Sequence, residues 1–542
     1  MSNVKPKDTV IKEITDTYLD SLDAANLPAP TEIAEQLFQT TNEQLRALNY
    51  SVPRDMSYKL IQELTYYQVA AIVVKTKCAV VIQCTDDSND LDLCPVAIYQ
   101  DSGPNEGLYS TLDHDINRAI LEIRPGVTER GLKEIQTMMR NIAPIVKRTP
   151  DRDLVPVANG IFDYKRQILL PFSPEYVFLS KLTVPYNHLA QSIAIHNPDD
   201  GTDWDVESWM QELFNDQELV DLLWHIIGAV VRANVVWGRT AWFYSSSGNS
   251  GKGTILALLR SLIGREHCAS IRMAAMDEKY ALEPIVHATC ILCDENNVGE
   301  YLEKSSNLKA LVTGDTVLVT RKYLKAVNFQ FRGLMVQCIN DLPKTRDRTD
   351  SFLRRCLILE FDKCFTGQER KYIKEDYLTR PEVLEYVLYR VLTLMPQYYD
   401  LPVPEACKSA AEGFGIANNP ALEFALEMLP QIQSEVVSFG TLYELYKSWL
   451  KYTNPSSTAL GRNTFISELT RQVVKPPLSD EWDYPGKDGN RKHIRITVGN
   501  RKTYAEPLYD EFCICQPPTY QPSDRVAGLA RIKPMAQHND VN

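Results

Sequence analysis

The chain of 542 residues lacks any apolar run long enough to cross a bilayer, and its amino terminus lacks the basic-then-apolar pattern of a secretory leader. Both absences predict a protein that stays in the cytoplasm with no membrane partner. Its 12 cysteines form no secreted-style framework, so they are expected to be reduced and mostly buried. Cys290 and Cys293 have zinc-like spacing, but TCILCDE reads as a buried strand, where residues three apart face opposite sides. General basicity is missing too, since the net charge is −12. Positive charge gathers instead in three short stretches, 321–332, 344–355 and 487–502, and such local charge decides whether a polyanion can bind. Finally, the first 95 residues carry no carboxylate pair or zinc cluster of the kind a primase centre needs.

What is present begins with AWFYSSSGNSGKGTILALL. An apolar strand, a Gly/Ser/Asn loop and an apolar helix follow one another directly. In such a loop the backbone N–H groups of Gly248, Asn249, Ser250, Gly251, Lys252, Gly253 and Thr254, with the helix N-terminus, can surround nucleotide phosphates. Lys252 can reach the terminal phosphates, and a hydroxyl can ligate Mg²⁺. Ser246 stands where a first glycine is usual, and Gly253 follows the lysine, which leaves the hydroxyl ligand open between Ser250 and Thr254. Small nucleoside kinases also carry GKGT, so the loop alone does not fix the reaction.

Downstream, HATCILCDENN is an apolar strand ending in Asp294 and Glu295. One carboxylate can hold Mg²⁺ and its neighbour can polarise an attacking water. In GLMVQCIND the apolar run leads into Asn340, an amide able to orient that water. Between them GDTVLVTRKYLK has the form of a hairpin, with Arg321, Lys322 and Lys325 for backbone phosphates and Tyr323 for stacking on a base.

The order SSSGNSGKGT, ILCDEN, GDTVLVTRKYLK, CIND and TDSFLRRCLILEF resembles the superfamily 3 helicases, a ring-forming branch of the AAA+ ATPases, and among them the phage, plasmid and poxvirus primase-helicase family. An upstream NG-x-x-D element at Asn159, Gly160 and Asp163 fits the same family, and the likeness spans roughly residues 96–505. It implies an α/β fold with an AAA+ superfamily 3 core, a helical N-terminal collar and a C-terminal winged helix. It also implies that Lys252 and Thr254 contact phosphate and Mg²⁺, that Asp294 and Glu295 are the Walker B acids, and that Asn340 is sensor 1. Arg354 and Arg355 stand where the family supplies an arginine finger to the neighbouring subunit, with Arg355 slightly preferred.

The expected domains are 1–95 (α/β, role unassigned), 96–190 (collar-like), 191–395 (ATPase), 396–430 (helical connector), 431–510 (winged helix) and 511–542 (flexible tail). The wing would present Lys487, Arg491, Lys492 and Arg495 to duplex phosphates, with a helix around 462–471 entering the major groove. The expected activity is ATP- and Mg²⁺-dependent translocation on DNA and unwinding of duplex by a homohexamer with single-stranded and forked DNA as partners, in replication of a phage, plasmid or mobile element. Origin duplex and a separate primase or polymerase would be further partners. Two alternatives stand beside it: an origin-binding initiator with secondary unwinding, and a nucleotide kinase, which leaves the basic hairpin and Arg354/Arg355 unexplained.

Overall fold

The computed structural model describes residues 5–23, 26–83, 94–322, 325–455, 457–486, 493–516 and 520–532. The fold is mixed α/β, in two compact units, 1–410 and 411–542. Among the described residues no helix is long and apolar enough to cross a membrane.

The amino-terminal part of the first unit packs five helices on a small mixed sheet. The helix Tyr66–Thr76 begins at a capping box, Thr65 with Gln68, which satisfies two otherwise orphaned N–H groups. Ile72 in this helix, Ile120 in Asp113–Ile123 and Met139 in Glu129–Ile142 share one core with Ile33 and Val81. The sheet pairs Val80–Ile82 with Val96–Tyr99 on one side and Ile145–Val146 on the other. The boundary expected at 95/96 therefore falls inside a sheet. The family resemblance begins there, but the packing does not stop there.

The centre of the first unit is a five-stranded sheet, all parallel: β1 (Thr240–Tyr244), β2 (Cys268–Ala269), β3 (Cys290–Cys293), β4 (Met335–Ile339) and β5 (Cys356–Glu360), in the spatial order β2-β3-β4-β1-β5. Helices cover it, which is why the strands read as continuous apolar runs rather than alternating ones. The helix α1 (Lys252–Ile263) and the largely apolar helix Gln217–Val231 bury Leu256, Leu259, Leu222 and Ile226 in this core. Residues Val155, Val157 and Phe162, from a three-stranded antiparallel sheet at 154–170, join the same core. Arg232 is only 1% exposed. Its guanidinium lies 3.8 Å from the Tyr164 ring centroid and donates to Tyr398 O at 2.7 Å, so aromatic faces and a carbonyl take the place of a carboxylate partner.

The second unit gathers Phe424, Tyr446, Trp449, Phe465 and Leu469, from the helices Pro420–Met428, Phe439–Thr453 and Arg462–Val473, around one core. The expected connector 396–430 is thus divided, its last part belonging here. Strands Val436–Ser438 and Trp482–Asp483 both pair with Gly528–Arg531, which lies between them. A Cβ on Gly528 would sit 1.8 Å from Val437 O, so only glycine permits this approach.

Two expectations are corrected in this unit. Residues from 511 are not wholly a flexible tail: Leu529 and Ala530 are buried, and Arg531 donates to Ile432 O at 2.7 Å. The Pro- and Gln-containing composition around them hid a short apolar strand. Nor do the strands of EWDY and HIRITV form a regular ladder with each other among the described residues. Ile494 N–H does return to Gly486 O at 3.1 Å, but Ile496–Thr497 pairs with Arg525–Val526. Lys487, Arg491 and Lys492 lie outside the described residues.

Candidate nucleotide site and basic hairpin

Parallel strands place all their carboxyl ends on one edge, where α/β sheets bind ligands. The loop 245–251 leaves β1 at that edge and turns into α1. Asn249 (φ 54°) and Gly251 (φ 91°) both take left-handed backbone, the alternation that turns successive N–H groups toward one point. At Gly251 a side chain would be strained by that φ, and its Cβ would lie 2.9 Å from Leu213. The loop is tied down on both sides. Ser245 N–H donates to Ile339 O (3.2 Å), and Phe365 N–H donates to Asn249 O (2.9 Å), while the Asn249 side chain donates to Glu369 (3.0 Å).

Lys252 opens α1 and is buried at 8% exposure. Its ammonium donates to Ser250 Oγ at 3.2 Å and, among the described residues, has no carboxylate in ion-pair range. Burial therefore lowers its pKa, and an incoming phosphate would relieve that cost. Thr254 is half-buried in the first turn of α1. Ser250 and Thr254 are both near the loop, so the identity of the hydroxyl ligand stays open.

Asp294 and Glu295 follow β3 directly, and both are exposed. The Asp294 carboxylate forms a bidentate pair with Arg260 Nη1 of α1, at 2.7 and 3.0 Å, while Arg260 Nη2 donates to Leu292 O at 3.2 Å. Sequence patterns give no hint of this pair, because Arg260 reads as one polar residue on an amphipathic helix. Cys338 on β4 lies among these groups. Burial, then the Asp294 charge, push its thiol up to about 12, against Lys252 and Arg260. Asn340 is exposed just past β4. The carboxyl edge thus brings together Lys252, Asp294, Glu295 and Asn340.

Asn296 was not singled out by sequence, yet it fixes the acidic loop. It is buried, its amide donates to Gln337 Oε1 (3.1 Å) and Cys338 O (3.0 Å), and its oxygen accepts from Met273 N–H (3.0 Å). Replacing it with alanine leaves several buried polar groups unpaired. Asn296→Ala is expected to cost about 1–3 kcal/mol of first-unit stability and to lower ATP turnover by misplacing Asp294 and Glu295. Urea unfolding alongside steady-state ATPase would check this, and unchanged values in both would refute it.

Arg354 and Arg355 stand at the opposite edge. Arg355 O accepts from Thr240 N–H, at the start of β1, at 2.8 Å. The phosphate loop follows the end of β1, a strand of five residues, so roughly 16 Å separates them. Arg354 is exposed, whereas the Arg355 guanidinium donates to Ser351 O and Ser351 Oγ.

The segment between the acids and Asn340 does form an antiparallel hairpin, Thr316–Val319 with Val327–Gln330. Lys322 and Lys325 are exposed at its tip, and Arg321 donates to Lys325 O at 3.2 and 3.3 Å. Lys322 N–H donates to Glu283 at 3.3 Å. Tyr323 lies outside the described residues. Among the described residues no group of three or more His, Cys, Asp or Glu forms a metal cage. One hydroxyl and one carboxylate beside phosphates nevertheless suit Mg²⁺, which keeps most of its waters and takes few protein ligands.

Comparison with known proteins gives two family matches. Residues 243–355, which hold the whole carboxyl-edge cluster, match a family of unknown function (DUF5906). Residues 416–493 match the family described as poxvirus D5 protein-like. Among solved structures, the A form apo structure of the NrS-1 C-terminal region is 14% identical, with a TM-score of 0.42, covering 77% of this chain and 95% of that one. The apo structure of the NrS-1 C-terminal region is 12% identical over the same shares, also with a TM-score of 0.42.

Proposed function

We propose that the chain is an ATP-hydrolysing DNA helicase of the superfamily 3 type, acting as a ring in replication of a viral or other mobile element. The observation that carries this reading is the two-edged layout of the parallel sheet. A phosphate loop, two acids and an amide meet at the carboxyl edge, and a double arginine stands at the amino edge. A motor whose sites lie between subunits needs both halves. The match of residues 416–493 to poxvirus D5-like sequences supports a replication role.

In this reading Lys252 and the loop N–H groups bind the β- and γ-phosphates, and Glu295 with Asn340 orients the attacking water. Asp294 and Thr254 or Ser250 would hold Mg²⁺, which would supply charge neutralisation on the phosphates. Arg260, which pairs with Asp294, would have to release that carboxylate, at least in part, for it to hold a cation. The kinase alternative gives the basic hairpin no task. The initiator alternative would rest on residues of the second unit, several of which lie outside the described set.

Removing positive charge from the hairpin tip tests the DNA half of the proposal. Lys322→Ala with Lys325→Ala is expected to weaken single-strand affinity by about 10-fold or more and to flatten its salt dependence by about 1–2 phosphate contacts. DNA-free ATPase should stay within about twofold. Titration of a fluorescent oligo-dT at several salt concentrations reads all of this. An unchanged affinity and slope would move the DNA path elsewhere.

A further inference from the structure

At the opposite edge of the sheet from loop 245–251, the first unit carries a half-open cavity of about 160 Å³. Its walls include residues 147–150 and 177–182 of the amino-terminal part, the segment 286–289 before β3, and the return strand of the basic hairpin with Arg332. Hydrogen bonds hold these walls together. Arg148 donates to Val286 O (3.3 Å), Arg332 to Pro150 O (3.4 Å), and Asn234 to Thr149 O (3.3 Å).

The lining has an uneven chemistry. Lys147, Arg148, Lys181 and Arg332 contribute cationic groups, and among the described residues no Asp or Glu lines the cavity. This concentration of positive charge stands out in a chain of net charge −12. The remainder includes apolar surface from Leu154, Val177, Phe178 and Phe329, with amide edges from Gln83 and Gln330. The Arg148 guanidinium lies 5.3 Å from the Phe329 ring centroid. Burial, then the positive charges of Arg148 and Arg321, lower the pKa of His287, another lining residue.

A cavity of about 150 Å³ accommodates one benzene-sized ring, so this one has room for a single base but not for a whole nucleotide. Flat apolar walls suit a base face, amides suit its edge, and the exposed Lys147 with the half-buried Arg148 and Arg332 suits the attached phosphate. We infer that this cavity is a second nucleotide-binding site, which takes one base of a DNA strand engaged by the hairpin and holds its phosphate between Lys147, Arg148 and Arg332. A free nucleoside phosphate presents the same chemistry. Only the choice of strand over free nucleotide rests on the helicase reading.

Photo-crosslinking on the full chain carrying Lys252→Ala, which disables the phosphate loop, separates these sources. One arm uses an oligo-dT bearing 4-thiothymidine, and the other uses 8-azido-ATP. The expected result is oligonucleotide crosslinks in peptides spanning 145–150, 177–182 or 327–332. Lys147→Glu should abolish them and weaken oligonucleotide binding by about 10-fold. Arg332→Gln should do the same, and retention of the wild-type melting temperature in either variant shows that the fold is intact. Labelling of those peptides by 8-azido-ATP alone would support the site but overturn the strand as its occupant. If the oligonucleotide bound nowhere, the helicase reading would fall while the azido arm still tested the cavity. Absence of labelling there in both arms would overturn the inference.

Discussion

Lys252→Ala is expected to lower ATP turnover by on the order of 100-fold or more, an effect of the size seen when one charge-stabilising donor is removed from a reacting centre. Three features make the loss large. The ammonium is buried, it opens α1 directly behind the left-handed Gly251, and no carboxylate of the described residues neutralises it. A positive charge placed in that way is most useful to a ligand that brings negative charge into the loop. The same change removes the desolvation cost of the lysine, so the protein itself should not be destabilised. A melting temperature equal to or above that of the wild type, with turnover lost, is the expected pair of results. Full turnover in Lys252→Ala would remove the phosphate-loop assignment.

The second large effect concerns Arg354 and Arg355. Their position at the start of β5, one strand length from loop 245–251 of the same chain, puts that loop beyond their reach, so in the proposed ring they would act on a neighbour's nucleotide. An arginine acting on a neighbour's phosphates is worth on the order of 1,000-fold or more in turnover. Arg354→Ala with Arg355→Ala should therefore abolish hydrolysis while nucleotide affinity stays within about threefold of wild type. Of the two, Arg354 is exposed, and Arg355 is engaged by Ser351. That arrangement reverses the slight preference for Arg355 drawn from the family pattern, and the single variants distinguish them.

Mixing supplies the sharper test. Subunits carrying Lys252→Ala still have intact arginines, and subunits lacking the arginines still have an intact loop. Combined, they should regain part of the ATPase that each lacks alone. Failure to complement, in a mixture shown to co-assemble, would contradict action between subunits.

These effects rest on features with very different visibility in the sequence. The phosphate loop, the acids after β3 and the hairpin are local: each is a short run whose chemistry and periodicity stand together. Their gathering on one sheet edge followed from strand, loop and helix occurring in succession. The partners of those groups are not local. Arg260 meets Asp294 across 34 positions, and Asn296 meets Gln337 across 41. Nothing in either neighbourhood marks them. Segment 361–375 was equally silent, although Phe365 and Glu369 brace the loop through Asn249. The strand Gly528–Arg531 was hidden for another reason: four small or mixed residues carry too little pattern to stand out from a polar tail.

The most direct measurement is ATP-dependent strand displacement on a forked DNA duplex, wild type beside Lys252→Ala, with ATPase recorded with and without single-stranded DNA. Displacement by the wild type, its loss in the variant, and ATPase stimulated by the strand are the results predicted for a DNA motor. ATPase indifferent to DNA, with no displacement by the wild type, would contradict it.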